Sequence, residues 1–239
     1  MFRRRNMAPI LTHQNNDFKL KNMDLGNFNQ PQQRYIKTIN LTREQWDANV
    51  DYLKKLIAEF EPRFEWNEQL TDIYKNTILY FLGNSQSKYD LNKGLYFYGD
   101  TGCGKSLILT SVFKQYTRIL GVNSYRVVST TDIIKSVQKN GLVAINEFIE
   151  SDSHKPIVLY IDDFGAGNSK VNSYGTVIDV FTELVTQRYP YYSRHNTLTH
   201  FSSNIMPSEF EERFNARISS RMSEMCNLIY MPQIDYRKR

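Results

Sequence analysis

Residues 99–106 read Gly-Asp-Thr-Gly-Cys-Gly-Lys-Ser, a spacing suited to holding phosphate. Glycines at 99, 102 and 104 free the backbone for positive φ and let its N–H groups turn inward onto phosphate oxygens. Lys105 is placed to reach β- and γ-phosphates, and Ser106 to offer its hydroxyl to Mg²⁺. Asp100, Thr101, Cys103 and Leu107 complete the expected nucleotide-binding run, Gly99 to Leu107. A chance Gly-rich turn is the alternative. The flanks argue against it: Leu95-Tyr96-Phe97-Tyr98 reads as a short apolar strand ahead of the loop, and Leu107 to Phe113 opens a helical run behind it. The N-terminal dipole of that helix favours the same anion.

A second group of chemistry-bearing residues follows. The apolar run Ile157–Ile161 ends in Asp162-Asp163-Phe164-Gly165. Ligands of open α/β sheets bind beyond the carboxyl ends of strands. Two carboxylates emerging there fit a Walker B motif, with Asp162 for Mg²⁺ and Asp163 to polarise the water that attacks the γ-phosphate. The next strand ends Ser202-Ser203-Asn204, and Asn204 is the candidate sensor of γ-phosphate and water, against the plain reading of a strand-ending Asn. Arg217 and Arg221, four residues apart, share one helical face. An exposed guanidinium there suits a γ-phosphate held by a neighbouring subunit, because it stays charged and binds oxygens bidentately. A solvated basic helix is the alternative for both.

These groups need a scaffold, and the hydrophobic pattern supplies one. Thr42-Arg43-Glu44-Gln45 resembles a capping box opening a helix that ends before Pro62, and a second helix starts after Asn67. From residue 94 the pattern alternates strand and helix: Tyr125 to Val128, a helix capped by Thr131 or Asp132, Ile157 to Ile161, a helix over 176–189, Leu198 to Ser203, a short helix from Ser208, another from Arg217 to Met225, and a closing strand at Leu228 to Met231. Such alternation predicts an α/β fold, a parallel sheet covered by helices on both faces. Residues 1 to about 30 are rich in Asn, Gln and Lys, and a tail is expected there.

The chain has 239 residues, 41% hydrophobic and 23% charged, within the ordinary range for a globular protein. It carries no apolar run long enough to span a membrane and no secretory h-region after the basic start. Two cysteines without a CxxC pair argue against a disulfide framework or cysteine zinc site, and a cytoplasmic location is expected. The four histidines are scattered and read as ordinary polar residues. A net charge of +5 is compatible with a polyanionic partner.

Taken in order, Gly99–Ser106, Asp162-Asp163-Phe164-Gly165, Ser202-Ser203-Asn204, Arg217-Ile218-Ser219-Ser220-Arg221-Met222 and Asp235-Tyr236-Arg237 resemble AAA+ ATPases of the DnaC/IstB group. Ser173-Tyr174-Gly175 and Arg188-Tyr189 also resemble that group's segment between Walker B and sensor. The resemblance implies a P-loop AAA+ core over residues 64–239 without a full helical lid, preceded by an N-terminal tail and partner-binding helical segment over residues 1–63. It implies ATP and Mg²⁺ as cofactors, assembly into an arc or spiral with Arg221 acting in trans, single-stranded DNA along the inner surface, and a replicative helicase as partner during DNA replication. The zinc cluster of some loaders is missing from the N-terminal portion.

Direct DNA contacts have candidates with plain alternatives. Arg188-Tyr189-Pro190-Tyr191-Tyr192-Ser193-Arg194 mixes cations with aromatics, as a base-stacking platform or as a helix-to-strand connection with Tyr189 on the core. Lys114, Lys135, Lys139 and the early Arg3, Arg4, Arg5, Lys19 and Lys21 suit a basic groove or a solvated surface. Two other functions fit the same motifs: an IstB-like transposition helper on duplex DNA, and a P-loop small-molecule kinase.

Overall fold

The computed structural model describes residues 36–151, 155–173 and 176–232. The N-terminal tail with its basic residues, Tyr174-Gly175 and Asp235-Tyr236-Arg237 lie outside the described residues. Two helices come first, α1 (Arg43–Phe60) and α2 (Glu68–Phe81). The capping box of α1 is formed in both directions: the Gln45 N–H donates to Thr42 Oγ1, and the Thr42 N–H donates to Gln45 Oε1. Asn67 caps α2 by accepting from the Leu70 N–H at 2.8 Å.

A five-stranded sheet follows, in the order β2 (Arg126–Ser129), β3 (Leu159–Asp162), β6 (Thr199–Ser203), β1 (Gly94–Tyr98) and β7 (Cys226–Tyr230), every pairing parallel. The central strands β6 and β1 are buried on both faces, as in a covered parallel sheet, although β6 (Thr-His-Phe-Ser-Ser) is largely polar. Side chains alternate between two separate cores, following the two-residue period of a strand. Phe97 and Tyr160 enter the core shared with α1, α2 and the helix after the phosphate loop, through Leu53, Leu56, Tyr74, Phe81 and Phe113. Tyr96, Leu159, Ile161 and Phe201 enter the opposite core. There they meet α5 (Thr130–Asn140) through Ile133, α6 (Val180–His195) through Phe181 and Leu184, and α8 (Ala216–Met225) through Met222. The α/β class with a parallel sheet flanked by helices is therefore borne out.

Four local expectations are corrected. The helix expected over 176–189 begins only at Val180: Lys170–Ser173 and Thr176–Asp179 pair as an antiparallel hairpin, β4 and β5. Asp179 is the cap, accepting from the Thr182 N–H at 2.9 Å, and Val177 is 65% exposed. At its other end α6 runs through Pro190 to His195, so residues 188–194 are helix and not connection. The cap of α5 is Ser129, not Thr131 or Asp132; its hydroxyl accepts from the Asp132 N–H at 3.1 Å. Ser208 lies inside a 3-10 turn (Pro207–Glu209) that leads into α7 (Phe210–Arg213).

One buried base gives the fold a pH signature. His200 on β6 is fully buried, its Nδ1 accepting the Leu95 N–H at 3.1 Å among the rings of Tyr80, Phe81 and Tyr125. Burial, assisted by the charge of Arg188, pushes its imidazole down to about 3. The folded state thus refuses a proton that the unfolded chain takes up near pH 6.5. The stability His200 contributes is complete above that pH and is lost as pH falls toward 3, with a slope approaching about 1.4 kcal/mol per pH unit. Urea titrations between pH 7 and pH 4.5 are expected to show this slope in the wild type, and His200→Asn, whose amide oxygen offers the Leu95 N–H an acceptor, is expected to flatten it. An unchanged slope in the variant contradicts the assignment.

Candidate functional site

The phosphate loop is shaped by its two ends. β1 passes directly into Gly99, where the Tyr98 carbonyl accepts from the Met231 N–H at 2.8 Å. A Cβ on Gly99 would lie 2.7 Å from the Met231 carbonyl oxygen, so the strand exit has no room for a side chain. Gly102 and Gly104 then take φ of +89° and +88°, a region that side chains disfavour. Lys105 opens a short helix, α3 (Lys105–Leu107), continued by a π-helical stretch (Ile108–Val112) and α4 (Phe113–Leu120). The buried Lys105 ammonium donates to the Gly99 carbonyl at 2.8 Å and the Asp100 carbonyl at 2.7 Å, with Cys103 Sγ at 3.6 Å. It is thereby held across the loop by neutral, exchangeable acceptors.

The end of β3 is wired to β6. Asp162 Oδ1 accepts from the Tyr160 hydroxyl at 2.7 Å and the Ser202 hydroxyl at 2.6 Å. Both bonds fall on one oxygen, which leaves Oδ2 for a cation or its water. Asp163 turns into the left-handed region at φ +54°, a conformation that Asp tolerates better than most residues. Its N–H donates to Ser202 Oγ at 3.0 Å, and its carbonyl accepts from the Thr130 hydroxyl at 2.9 Å. The Ser203 hydroxyl donates to the Phe164 carbonyl at 2.6 Å and accepts from the Ile205 N–H at 2.9 Å. The Tyr96 hydroxyl reaches the Ile205 carbonyl at 2.9 Å. Asn204 is therefore exposed between two anchored neighbours.

The outcome is a cleft of about 240 Å³. Thr101, Gly102, Gly104, Lys105, Ser106 and Leu107 line one side, and Asp163 and Asn204 the other. Residues from β1, β3 and β6 meet here because β6 lies between the other two strands. Gly99, Asp100 and Cys103 shape the loop without lining the cleft, and Asp162 sits at the strand end beside it. The oxygen donors Ser106 and Asp162 suit Mg²⁺, a hard cation that keeps waters and phosphate oxygens as its other ligands. The roles of Ser202, Thr130 and Tyr160 do not follow from sequence spacing; they depend on which strands are neighbours.

Neither Arg217 nor Arg221 lines the cleft of its own chain. Both lie on α8, Arg217 exposed and Arg221 half-buried, with the Arg221 guanidinium carbon 4.7 Å from the centre of the Tyr189 ring. The candidate DNA stretch on α6 is corrected at its first residue. Arg188 is wholly buried and donates to Thr199 Oγ1 at 2.7 Å, to the Phe148 carbonyl at 2.5 Å, and to the Ile157 and Leu198 carbonyls at 2.8 and 3.1 Å. Burial lowers its pKa to about 9, so it stays charged at neutral pH while bracing the sheet from beneath. Lys114 is half-buried and turned to the Tyr125 carbonyl and ring.

A cleft built from a glycine-rich loop, a strand-end carboxylate pair and a polar residue on the intervening strand defines a P-loop nucleotide-binding protein. The chain belongs to the AAA family, the ATPase family associated with various cellular activities, whose model matches residues 95–225. Among solved structures, DnaI is 20% identical with a TM-score of 0.50, covering 84% of this chain and 100% of that one. A putative primosome component from Streptococcus pyogenes serotype M3 is 22% identical with a TM-score of 0.51, covering 71% and 82%. The DnaC helicase loader is 18% identical with a TM-score of 0.51, covering 80% and 100%. At these identities the likeness is one of fold. No curated protein matches the sequence. Among the described residues no helix is long and apolar enough to cross a membrane.

Proposed function

We propose that this protein is a DnaC-like ATPase that binds and hydrolyses ATP, assembles on single-stranded DNA through nucleotide-dependent subunit contacts, and helps load a replicative helicase during DNA replication. The observation that carries the ATPase part is the single cleft shared by Lys105, Ser106, Asp163 and Asn204. Lys105 exchanges the Gly99 and Asp100 carbonyls for β- and γ-phosphate oxygens. Ser106 and Asp162 hold Mg²⁺, which when bound supplies charge neutralisation across the phosphates. Asp163 orients the attacking water, and Asn204 senses water and γ-phosphate together. Arg217 and Arg221, outside the cleft of their own chain, face that of an adjoining copy, where Arg221 stabilises the charge of the transition state.

The loader part is supported by the ordered sequence motifs and by a fold shared with structures described as DnaI and as the DnaC helicase loader. Size-exclusion chromatography with a non-hydrolysable ATP analogue tests the assembly, with and without single-stranded DNA. A nucleotide-dependent shift to larger species, stabilised by the DNA, is expected. A protein that stays monomeric under all conditions and phosphorylates an added acceptor is a kinase instead. Affinity capture in the ATP state is expected to return a replicative helicase; recovery of a transposase with duplex DNA identifies the transposition helper.

A further inference from the structure

We propose that Tyr189 is a positioning residue for Arg221, holding the guanidinium ready for a phosphate on the adjoining copy; this rests on the reading of Arg221 as a residue that acts in trans. The Arg221 guanidinium lies against the Tyr189 ring at 4.7 Å. The Tyr189 hydroxyl donates to Glu224 Oε2 at 2.8 Å, and Glu224 stands one turn after Arg221 on α8. The Tyr192 hydroxyl donates to the Glu224 carbonyl at 3.0 Å and ties α6 to α8 a second time. The residue before Tyr189 is Arg188, fixed by four hydrogen bonds into the sheet and its connections. The ring thus follows directly on a buried residue bonded into the sheet and its connections.

The choice of an aromatic partner has a chemical consequence. The obvious neighbour, Glu224, is engaged by the tyrosine hydroxyl, and the guanidinium carbon lies over the ring instead. A carboxylate partner would consume in-plane N–H donors and cancel the charge; a ring orders the same group while leaving its donors for oxygens. Arg221 Nη1 is itself covered and has no hydrogen-bond partner among the described residues, so the remaining N–H groups of the guanidinium are the ones a phosphate would meet. An ordered arginine also loses less rotamer freedom when two subunits close.

The test is steady-state ATPase kinetics of the full chain at a concentration where it assembles. Tyr189→Leu is expected to lower kcat about 3- to 30-fold, the range a cation–ring contact supports, with KM for ATP within about twofold of wild type. Tyr189→Phe, which keeps the ring but releases Glu224, is expected to lose less kcat than Tyr189→Leu. Combining Tyr189→Leu with Arg221→Ala is expected to add nothing to Arg221→Ala alone, as residues acting through one contact do. Wild-type kcat in Tyr189→Leu, or a further loss in the double variant, overturns the proposal. Full activity in Arg221→Ala removes the trans reading itself, a separate and distinguishable result. Should Tyr189→Leu melt below the assay temperature, Tyr189→Met carries the same comparison.

Discussion

Replacing Arg221 by alanine is expected to reduce ATP hydrolysis about 10³- to 10⁵-fold, the scale on which arginine fingers act, while ATP affinity stays near wild type. The asymmetry follows from where the side chain is. Arg221 lies on α8 against Tyr189 and does not line the cleft in which Lys105, Ser106, Asp163 and Asn204 meet. Its removal leaves that cleft intact, so ground-state binding by the same chain is spared and only a charge delivered from the next copy is lost. The distinguishing measurement is a mixture. Arg221→Ala keeps an intact cleft and lacks the finger; Lys105→Ala keeps the finger and lacks a functional cleft. Each alone is expected to be nearly inactive, whereas combining them creates interfaces with an intact cleft from one copy and Arg221 from the other. Activity of the mixture above the sum of its parts supports action in trans. A mixture as inactive as its components, or an Arg221→Ala protein at full speed, contradicts it.

The parts of this site that can be read from the sequence are those whose chemistry is local. Gly99 to Ser106 announces itself because glycine positions and the lysine–serine pair are fixed along one stretch of chain. Asp162-Asp163 is visible because a buried strand rarely ends in two carboxylates without a reason. What cannot be read depends on neighbours. Ser202 binds both Asp162 and the Asp163 N–H only because β6 pairs with β3. Arg188 looks like a surface cation within an aromatic stretch, yet α6 points it into the sheet, where three carbonyls and a hydroxyl receive it. The cap of α5 was ambiguous for a different reason. Ser129, Thr130, Thr131 and Asp132 are all compatible with capping or the first turn, and the choice is set by where β2 stops pairing, with Ser129 opposite Asp162. The β4–β5 hairpin was hidden because Val177, Val180 and Phe181 also fit a helical stripe; Asp179 as a cap divides that stripe between a strand and a helix.

Asp163→Asn is expected to separate turnover from assembly. The side chains are nearly isosteric, and Asn accepts the left-handed backbone at φ +54° as readily as Asp, so the hydrogen bonds of the Asp163 backbone to Ser202 and Thr130 survive the change. What disappears is a carboxylate able to take a proton from, or orient, the attacking water, a contribution of about 10²- to 10⁴-fold in rate for general-base catalysis. On the proposed reading phosphate binding rests on other groups, the loop amides, Lys105 and a cation that Ser106 and Asp162 would hold, so the variant is expected to bind ATP and to form the proposed nucleotide-dependent assembly, trapped there because hydrolysis would no longer loosen it. Lys105→Ala is the contrasting case, losing binding, assembly and turnover together. Parallel measurements of phosphate release and of elution volume with ATP decide the matter. Unchanged turnover in Asp163→Asn removes the carboxylate from the chemistry and turns attention to Asn204, the other exposed polar group facing the loop. Loss of assembly in step with turnover shows instead that Asp163 acts on nucleotide binding, because a group needed only in the transition state cannot change the population of the bound ground state.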